Sequence, residues 1–340
     1  MSKQSIIGKF DMAHEIETMA YAGDVPWHGL GKPVPGDLTP AQMLKAAGLD
    51  WGVEKRQIYL DNGKNGLGDE IPNQYALTRV TDNRVLSIVG RNFKPTQNEQ
   101  ILEFFKDFVM AGDMDMETAG SLQNGQFIWA LAKINASFTL GKEGDDVHSY
   151  LLLMQPHLWG YARTAKFTPI RVVCKNTLTY ALGAGLTGKN TEGKVFRMTN
   201  ARAFDDKAKE EAKAALGIAV KQAKEFESLA KLLARKRVKR DKVEEYFQEV
   251  LNYDPTKKTK EGRAVREPVM LDKFRTALIE APGQDFRTAK GTWWGALNAV
   301  TNVVDHKVGR NRGTALTNAW IGDNAVLKRR AVDIAVREAA

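Results

Sequence analysis

The composition of the chain changes near residue 200, and this change constrains the fold more than any other sequence feature. Residues 201–250 are rich in Ala, Lys, Glu and Leu, lack proline and contain one glycine, Gly217. Because proline and glycine interrupt helices, this segment predicts long α-helices. The residues before it are divided by turn signals, so the two halves of the chain must fold differently.

Turn residues divide the first half into short strands. Asp82-Asn83 and Asn124-Gly125 each separate two apolar segments, and they predict hairpins within residues 74–90 and 116–134. The Gly- and Pro-rich segment 23–40 predicts an irregular loop. Further strands are predicted at residues 51–60, 148–157 and 162–174.

Six further helices are predicted, three in the first half, marked by capping residues, and three near the C-terminus. Thr39, Thr96 and Asn176 are placed to cap helices at residues 40–48, 97–112 and 176–183. The later helices are predicted at residues 268–283, 292–306 and 324–340.

These elements predict an α+β fold, with an N-terminal antiparallel sheet crossed by helices and a mainly α-helical C-terminal half. We place an α+β domain with its N-terminal Gly/Pro loop at residues 1–195 and an α-helical region at residues 196–340. A charged, mobile segment is expected near residues 254–268.

The net charge of +9 and the pI of about 9.4 favour a polyanionic partner. Cys174 is the only cysteine, which excludes a disulfide framework and favours a buried thiol in a reducing compartment. The N-terminus lacks the apolar run of a signal peptide, and no segment has the length of a membrane span. We therefore expect a cytoplasmic protein without a membrane partner, cofactor or metal site.

Three groups of basic residues are the candidate nucleic-acid contacts. In the first group, basic residues accompany Trp159, Tyr161 and Phe167 along a predicted strand, where they offer phosphate contacts and stacking surfaces. The alternative is an amphipathic sheet or helix with a solvated basic face. The first group is Arg163, Lys166, Arg171 and Lys175; the second is Arg235, Lys236, Arg237, Lys239 and Arg240; the third is Lys307, Arg310 and Arg312.

The second group lies in the most basic part of the chain. Between Lys194 and Lys242 there are 15 basic and 7 acidic residues, which give a net charge of +8. Such clustering distinguishes a phosphate-binding surface from scattered solubilising charge.

A catalytic site has weaker support. His28, within the loop Pro26–Gly31, is the candidate general base or metal ligand, although a structural loop is the interpretation we favour. Asp113, Asp115 and Glu117 alternate on one face and could hold a divalent ion, but a solvated turn is the interpretation we favour. Phosphate-binding loop and nucleophile-elbow motifs are absent.

Four segments resemble one known family: MAHEIE (12–17), GDVPWHGLGKPV (23–34), PIRVVCKNTL (169–178) and GTWWGALNAVTNVVDH (291–306). They are similar to the phage/plasmid-like protein family, domain of unknown function 932. The resemblance implies an origin in a phage, prophage, plasmid or genomic island, and it implies no activity. The first half is also loosely similar in fold to phage single-strand annealing proteins.

The leading hypothesis is a protein that binds single-stranded DNA, with strand annealing or recombination as its role and a homo-oligomeric ring or filament as its assembly. The first alternative is a metal-dependent hydrolase or nuclease that uses the Trp27-His28 loop. The second is a host-interaction protein of a mobile element, whose basic clusters face an acidic protein.

Overall fold

In the computed structural model, the described residues are 16–23, 31–61, 63, 66–110, 113–171, 176–177, 195–307 and 323–340. The strands are β1 (Ile16–Ala22), β2 (Lys32–Val34), β3 (Val53–Asp61), β4 (Leu67–Arg79), β5 (Val85–Gly90), β6 (Met114–Leu122), β7 (Phe127–Leu140), β8 (Asp145–Pro156), β9 (Ala162–Arg171), β10 (Asn176–Thr177) and β11 (Val195–Thr199). The helices are α1 (Pro40–Ala46), α2 (Asn98–Glu103), α3 (Lys106–Met110), α4 (Asp206–Arg235), α5 (Arg240–Val250), α6 (Val269–Glu280), α7 (Trp293–His306) and α8 (Asp323–Ala339). The α+β class is therefore confirmed.

The strands form two sheets. The larger sheet has the order β10-β9-β8-β7-β6-β1-β2, and β11 also pairs with β9. Its neighbours are antiparallel except for β1 and β2, which run parallel. The smaller sheet is the antiparallel meander β3-β4-β5. The sequence predicted a single antiparallel sheet. The structure instead has two sheets, and one strand pair of the larger sheet is parallel.

Helices from the second half of the chain pack on the large sheet. Helix α4 contacts β7, β9 and β11, and α7 packs against α4, α6 and α8. One apolar cluster extends from Ala20 in β1 to Ala339 in α8, so both halves of the chain share a core. The central strand β7 is buried on both faces, because Ile128 belongs to this cluster and Trp129 to a second one.

Most predictions that depend on local sequence are confirmed. The Thr39 hydroxyl accepts a hydrogen bond from the Gln42 backbone N–H, which completes a capping box at the start of α1. Asn83 and Asn124 adopt left-handed backbone conformations with φ of 57° in the two predicted hairpin turns. The Ala- and Lys-rich segment forms α4 and α5, and residues 254–268 contain no helix or extended strand.

The predicted helix at residues 97–112 is wrong in its length and its cap. The chain instead forms α2 and α3, separated at Phe104 and Phe105. Both aromatic rings are buried, and Phe104 and Phe105 pack edge to face with ring centroids 5.5 Å apart. Gln97, and not Thr96, is the N-cap residue.

Two further local predictions are wrong. Asn176 and Thr177 form the short strand β10, so the predicted helix does not begin there, and residues 178–183 lie outside the described residues. The Gly/Pro segment contains the strand β2, which the sheet edge stabilises through its pairing with β1.

Candidate nucleic-acid interface

Arg163 and Lys166, the first predicted basic contacts, lie inside the protein. Arg163 has no exposed surface, and Lys166 is 6% exposed. Both residues stand on β9, where helix α4 covers one face of the sheet. Their expected exposure on one basic sheet face is therefore wrong. Side chains alternate along a strand, so Arg163 and Lys166 lie on opposite faces of β9, and both are buried.

Arg163 belongs to a buried polar network. Its Nε donates to Gln155 Oε1 at 2.5 Å, and its Nη2 donates to Asn200 Oδ1 at 3.0 Å and to the Thr96 hydroxyl. Its guanidinium also stacks over the Phe204 ring, 5.0 Å from the centroid. Burial lowers the pKa of Arg163 to about 10. The network joins β8, β9 and the loop before α2, so Arg163 has a structural role.

Lys166 lies near a buried ion pair between α7 and α8. Lys328 Nζ and Asp305 Oδ1 are 2.7 Å apart, and both side chains are buried. The pKa of Lys166 is lowered to about 7, chiefly by burial and also by the positive charges of Lys328 and Arg197. The Asp305 carboxylate, by contrast, raises the pKa of Lys166.

The second predicted group is exposed, and two further cations lie beside it in the folded protein. The additional residues, Arg287 and Lys290, come from the loop before α7 and are also exposed. No pattern in the sequence indicated that this loop would join the group. We call the combined surface the basic patch, and it consists of Arg235, Lys236, Arg237, Lys239, Arg240, Arg287 and Lys290.

Backbone hydrogen bonds hold the two segments of the basic patch together. Arg237 forms an isolated antiparallel bridge with Thr292. The Val238 N–H donates to the Gly291 carbonyl at 3.1 Å, and the Arg237 Nη1 donates to the Lys290 carbonyl at 2.6 Å. Arg235, Arg237 and Arg287 therefore share a hollow of about 340 Å³ beside the β7–β8 turn.

Cations of the basic patch differ from three arginines elsewhere in the second half of the chain, which are paired with carboxylates. Arg202, Arg275 and Arg337 each bind an acidic side chain at 3.0 Å or less. Among the described residues, no member of the basic patch forms such an ion pair. Glu143 and Asp241 lie at its border, where Glu143 accepts a hydrogen bond from the Arg287 backbone N–H. The positive charge of Arg240 also lowers the pKa of Glu244, which is bound to Arg275. The patch thus presents an excess of positive charge.

The start of helix α5 adds backbone donors to the basic patch. Lys239 is the N-cap residue, and its side chain makes no capping hydrogen bond. A helix N-terminus carries partial positive charge and free N–H groups, which favour a bound anion. Here two cations, Lys239 and Arg240, stand at that end, with Asp241 as the acidic residue of the first turn.

The third predicted group is only partly described. Lys307 is exposed at the end of α7, and its carbonyl accepts a hydrogen bond from Lys273 Nζ at 3.1 Å. Arg310 and Arg312 lie outside the described residues, as does Lys175 of the first group. The backbone of Arg171 lies in β9.

Residues 26–30 of the predicted catalytic loop, which include His28, lie outside the described residues, and so does Cys174. Asp115 and Glu117 lie on β6, and Asp113 directly precedes it. Among the described residues, no group of three or more His, Cys, Asp or Glu side chains is arranged to hold a metal ion. The alternative of a metal-dependent hydrolase stays a prediction.

Fold and surface together define an α+β protein whose described residues include an exposed basic patch without ion pairs to carboxylates. None of the described helices has the length and apolar character to cross a membrane. The chain belongs to the family described as Domain of unknown function (DUF932), whose model matches residues 85–332, more than half of the chain. No curated protein and no solved structure matches the chain. The resemblance seen in the sequence is thereby confirmed at the level of this family.

Proposed function

We propose that the protein binds single-stranded DNA through the basic patch. The observation that carries this proposal is the set of seven exposed cations, drawn from two chain segments, that lack carboxylate partners among the described residues. Phosphate contacts supply most of the affinity of proteins that bind nucleic acid without sequence preference. Unpaired cations favour such contacts, because binding a phosphate then breaks no internal ion pair.

The start of helix α5 supports a phosphate ligand in particular. The end of α4 and the start of α5 meet at residues 236–239, so side-chain cations and free backbone N–H groups lie at one corner of the molecule. Fork-shaped guanidinium groups bind phosphate with two parallel hydrogen bonds, and Arg235, Arg237 and Arg240 provide three of them.

The finer parts of the proposal are strand annealing and a setting in phage or plasmid recombination. Annealing requires that one assembly hold a strand along many subunits, so we expect a ring or filament of this chain. Mixing complementary labelled oligonucleotides with the protein tests this part, because annealing raises energy transfer between the labels. Binding without faster annealing would restrict the function to strand binding.

The test of the main proposal is the salt dependence of binding, measured by fluorescence anisotropy with a labelled oligothymidylate. The variant carries Arg235→Gln, Lys239→Gln and Arg240→Gln. Each phosphate contact contributes about −0.7 to the slope of log K against log [salt], so three lost contacts should reduce the slope by about 2.

A matched control loses the same charge elsewhere, through Arg202→Gln, Arg275→Gln and Arg337→Gln. Because these three arginines are already bound to carboxylates, the slope should stay close to that of the unmodified protein. Equal slopes for the two triple variants would contradict a role for the basic patch. Absence of binding at low salt would contradict the function itself.

A further inference from the structure

A second, chemically different cavity lies at the β8–β9 turn. It has a volume of about 930 Å³, which is in the range of small-molecule sites. Residues 156–162 form one wall, residues 90–93 after β5 form another, and residues 197–201 close it. The three walls come from both sheets and from distant parts of the chain. The cavity therefore exists only in the folded protein.

Aromatic side chains line this cavity. Trp159 is 73% exposed and Tyr161 is 45% exposed, although large aromatic rings are usually buried. The Tyr161 ring meets the buried Phe127 edge-on, with centroids 5.2 Å apart and an angle of 86°. Phe127 thus holds the Tyr161 ring in place, while the exposed ring of Trp159 is accessible for stacking.

The cavity also carries positive charge without acidic residues. Arg91 is exposed at its rim and Arg197 is half-buried in its wall. None of the described residues that line it carries a carboxylate. The ligand that suits these walls therefore combines a flat ring with a negative charge.

The rim supplies side-chain amides as well. Asn73 and Asn92 are both exposed and line the cavity. Such amides recognise the edges of nucleobases, which present donors and acceptors side by side. This feature favours a nucleobase over an aromatic ring that bears no polar edge.

The buried network around Arg163 fixes the turn that carries these aromatic residues. Asn200 Nδ2 donates to the carbonyls of Pro156 at 3.1 Å and Tyr161 at 3.4 Å, while its Oδ1 accepts from Arg163. Ser87 Oγ holds the carbonyl of His157 at 2.8 Å. Because both ends of the turn are hydrogen-bonded, the cavity is formed before any ligand arrives.

The geometry points to a nucleotide site: the base stacks on Trp159 and Tyr161, and the phosphate binds Arg91 and Arg197. The ligand is a nucleoside monophosphate unit, either free or within a strand. The site shares no residue with the basic patch, and the twelve-residue strand β8 separates the two, a span of roughly 40 Å. The inference thus goes beyond the proposed function and does not depend on the patch.

Isothermal titration calorimetry with adenosine monophosphate, and with inorganic phosphate as reference, tests the site on the full chain. Trp159→Ala should weaken nucleotide binding between about 5-fold and 150-fold, the range that corresponds to the loss of one stacked base. Trp159→Phe should restore part of the affinity, because the flat ring returns. Tyr59→Ala removes an exposed ring on β3, away from the cavity, and should leave binding unchanged.

Two arms distinguish the source of the nucleotide. Binding of the free monophosphate that depends on Trp159 supports a site for free nucleotides, and Trp159-dependent binding of oligothymidylate alone supports a site for a nucleotide within a strand. Equal affinity of Trp159→Ala and the unmodified protein for both ligands would overturn the inference. The basic-patch variant should keep its affinity for the monophosphate, so failure of one proposal is distinguishable from failure of the other.

Discussion

Lys166 provides the sharpest test of how burial controls charge in this protein. The substitution Lys166→Met keeps a long apolar side chain and removes the ionisable group. Burial lowers the pKa of Lys166 in the folded protein to about 7, from 10.5 for the exposed group. Between these two values the unfolded chain holds a proton that the folded protein releases, so protons favour unfolding in this pH range.

The magnitude follows from the difference between the two pKa values. At pH 7 the group destabilises the fold by about 4 kcal/mol, and at pH 9 by about 2 kcal/mol, because each pKa unit corresponds to about 1.4 kcal/mol. The free energy of unfolding of the unmodified protein should thus rise by about 2 kcal/mol more than that of Lys166→Met between pH 7 and pH 9. Lys328 and Asp305 are present in both proteins, so their direct contributions largely cancel.

Urea unfolding at pH 7, 8 and 9, followed by circular dichroism, measures this difference. Parallel pH dependence of the two proteins, within about 0.5 kcal/mol, would refute the reasoning, since linear extrapolation resolves differences of about this size. The variant should also bind oligothymidylate as the unmodified protein does, because Lys166 is buried. Lost affinity in a folded Lys166→Met variant would show that the residue reaches the ligand.

Three further substitutions test the packing by urea unfolding at neutral pH. Gly295→Ala places a Cβ 2.0 Å from the Ala289 carbonyl oxygen and should cost about 3 kcal/mol or more; a loss below about 1 kcal/mol would show that α7 shifts freely. Asp145→Ala removes the buried acceptor of Trp294 Nε1 and should cost about 3 kcal/mol, and unchanged stability would mean that water replaces the carboxylate. Thr39→Ala should cost about 1 kcal/mol through the lost cap, and no measurable loss would contradict the capping box.

The candidate site was predictable where it depends on neighbours in the sequence. The exposed cations 235–240 follow from the charge of the segment, and Trp159 and Tyr161 from their place beside a predicted strand. The burial of Arg163 was not predictable, because it depends on Gln155, Thr96 and Asn200, which approach from distant parts of the chain.

The sequence by itself determined the hairpin turns, the cap of α1 and the long helices, because backbone preferences and hydrogen bonds between near neighbours set them. Only the tertiary structure decided which face of β9 lies under α4, and that Arg287 and Lys290 join the cations of 235–240. These arrangements depend on contacts between residues far apart in the chain. A local pattern records that a side chain is charged, but it does not record which surface will cover it.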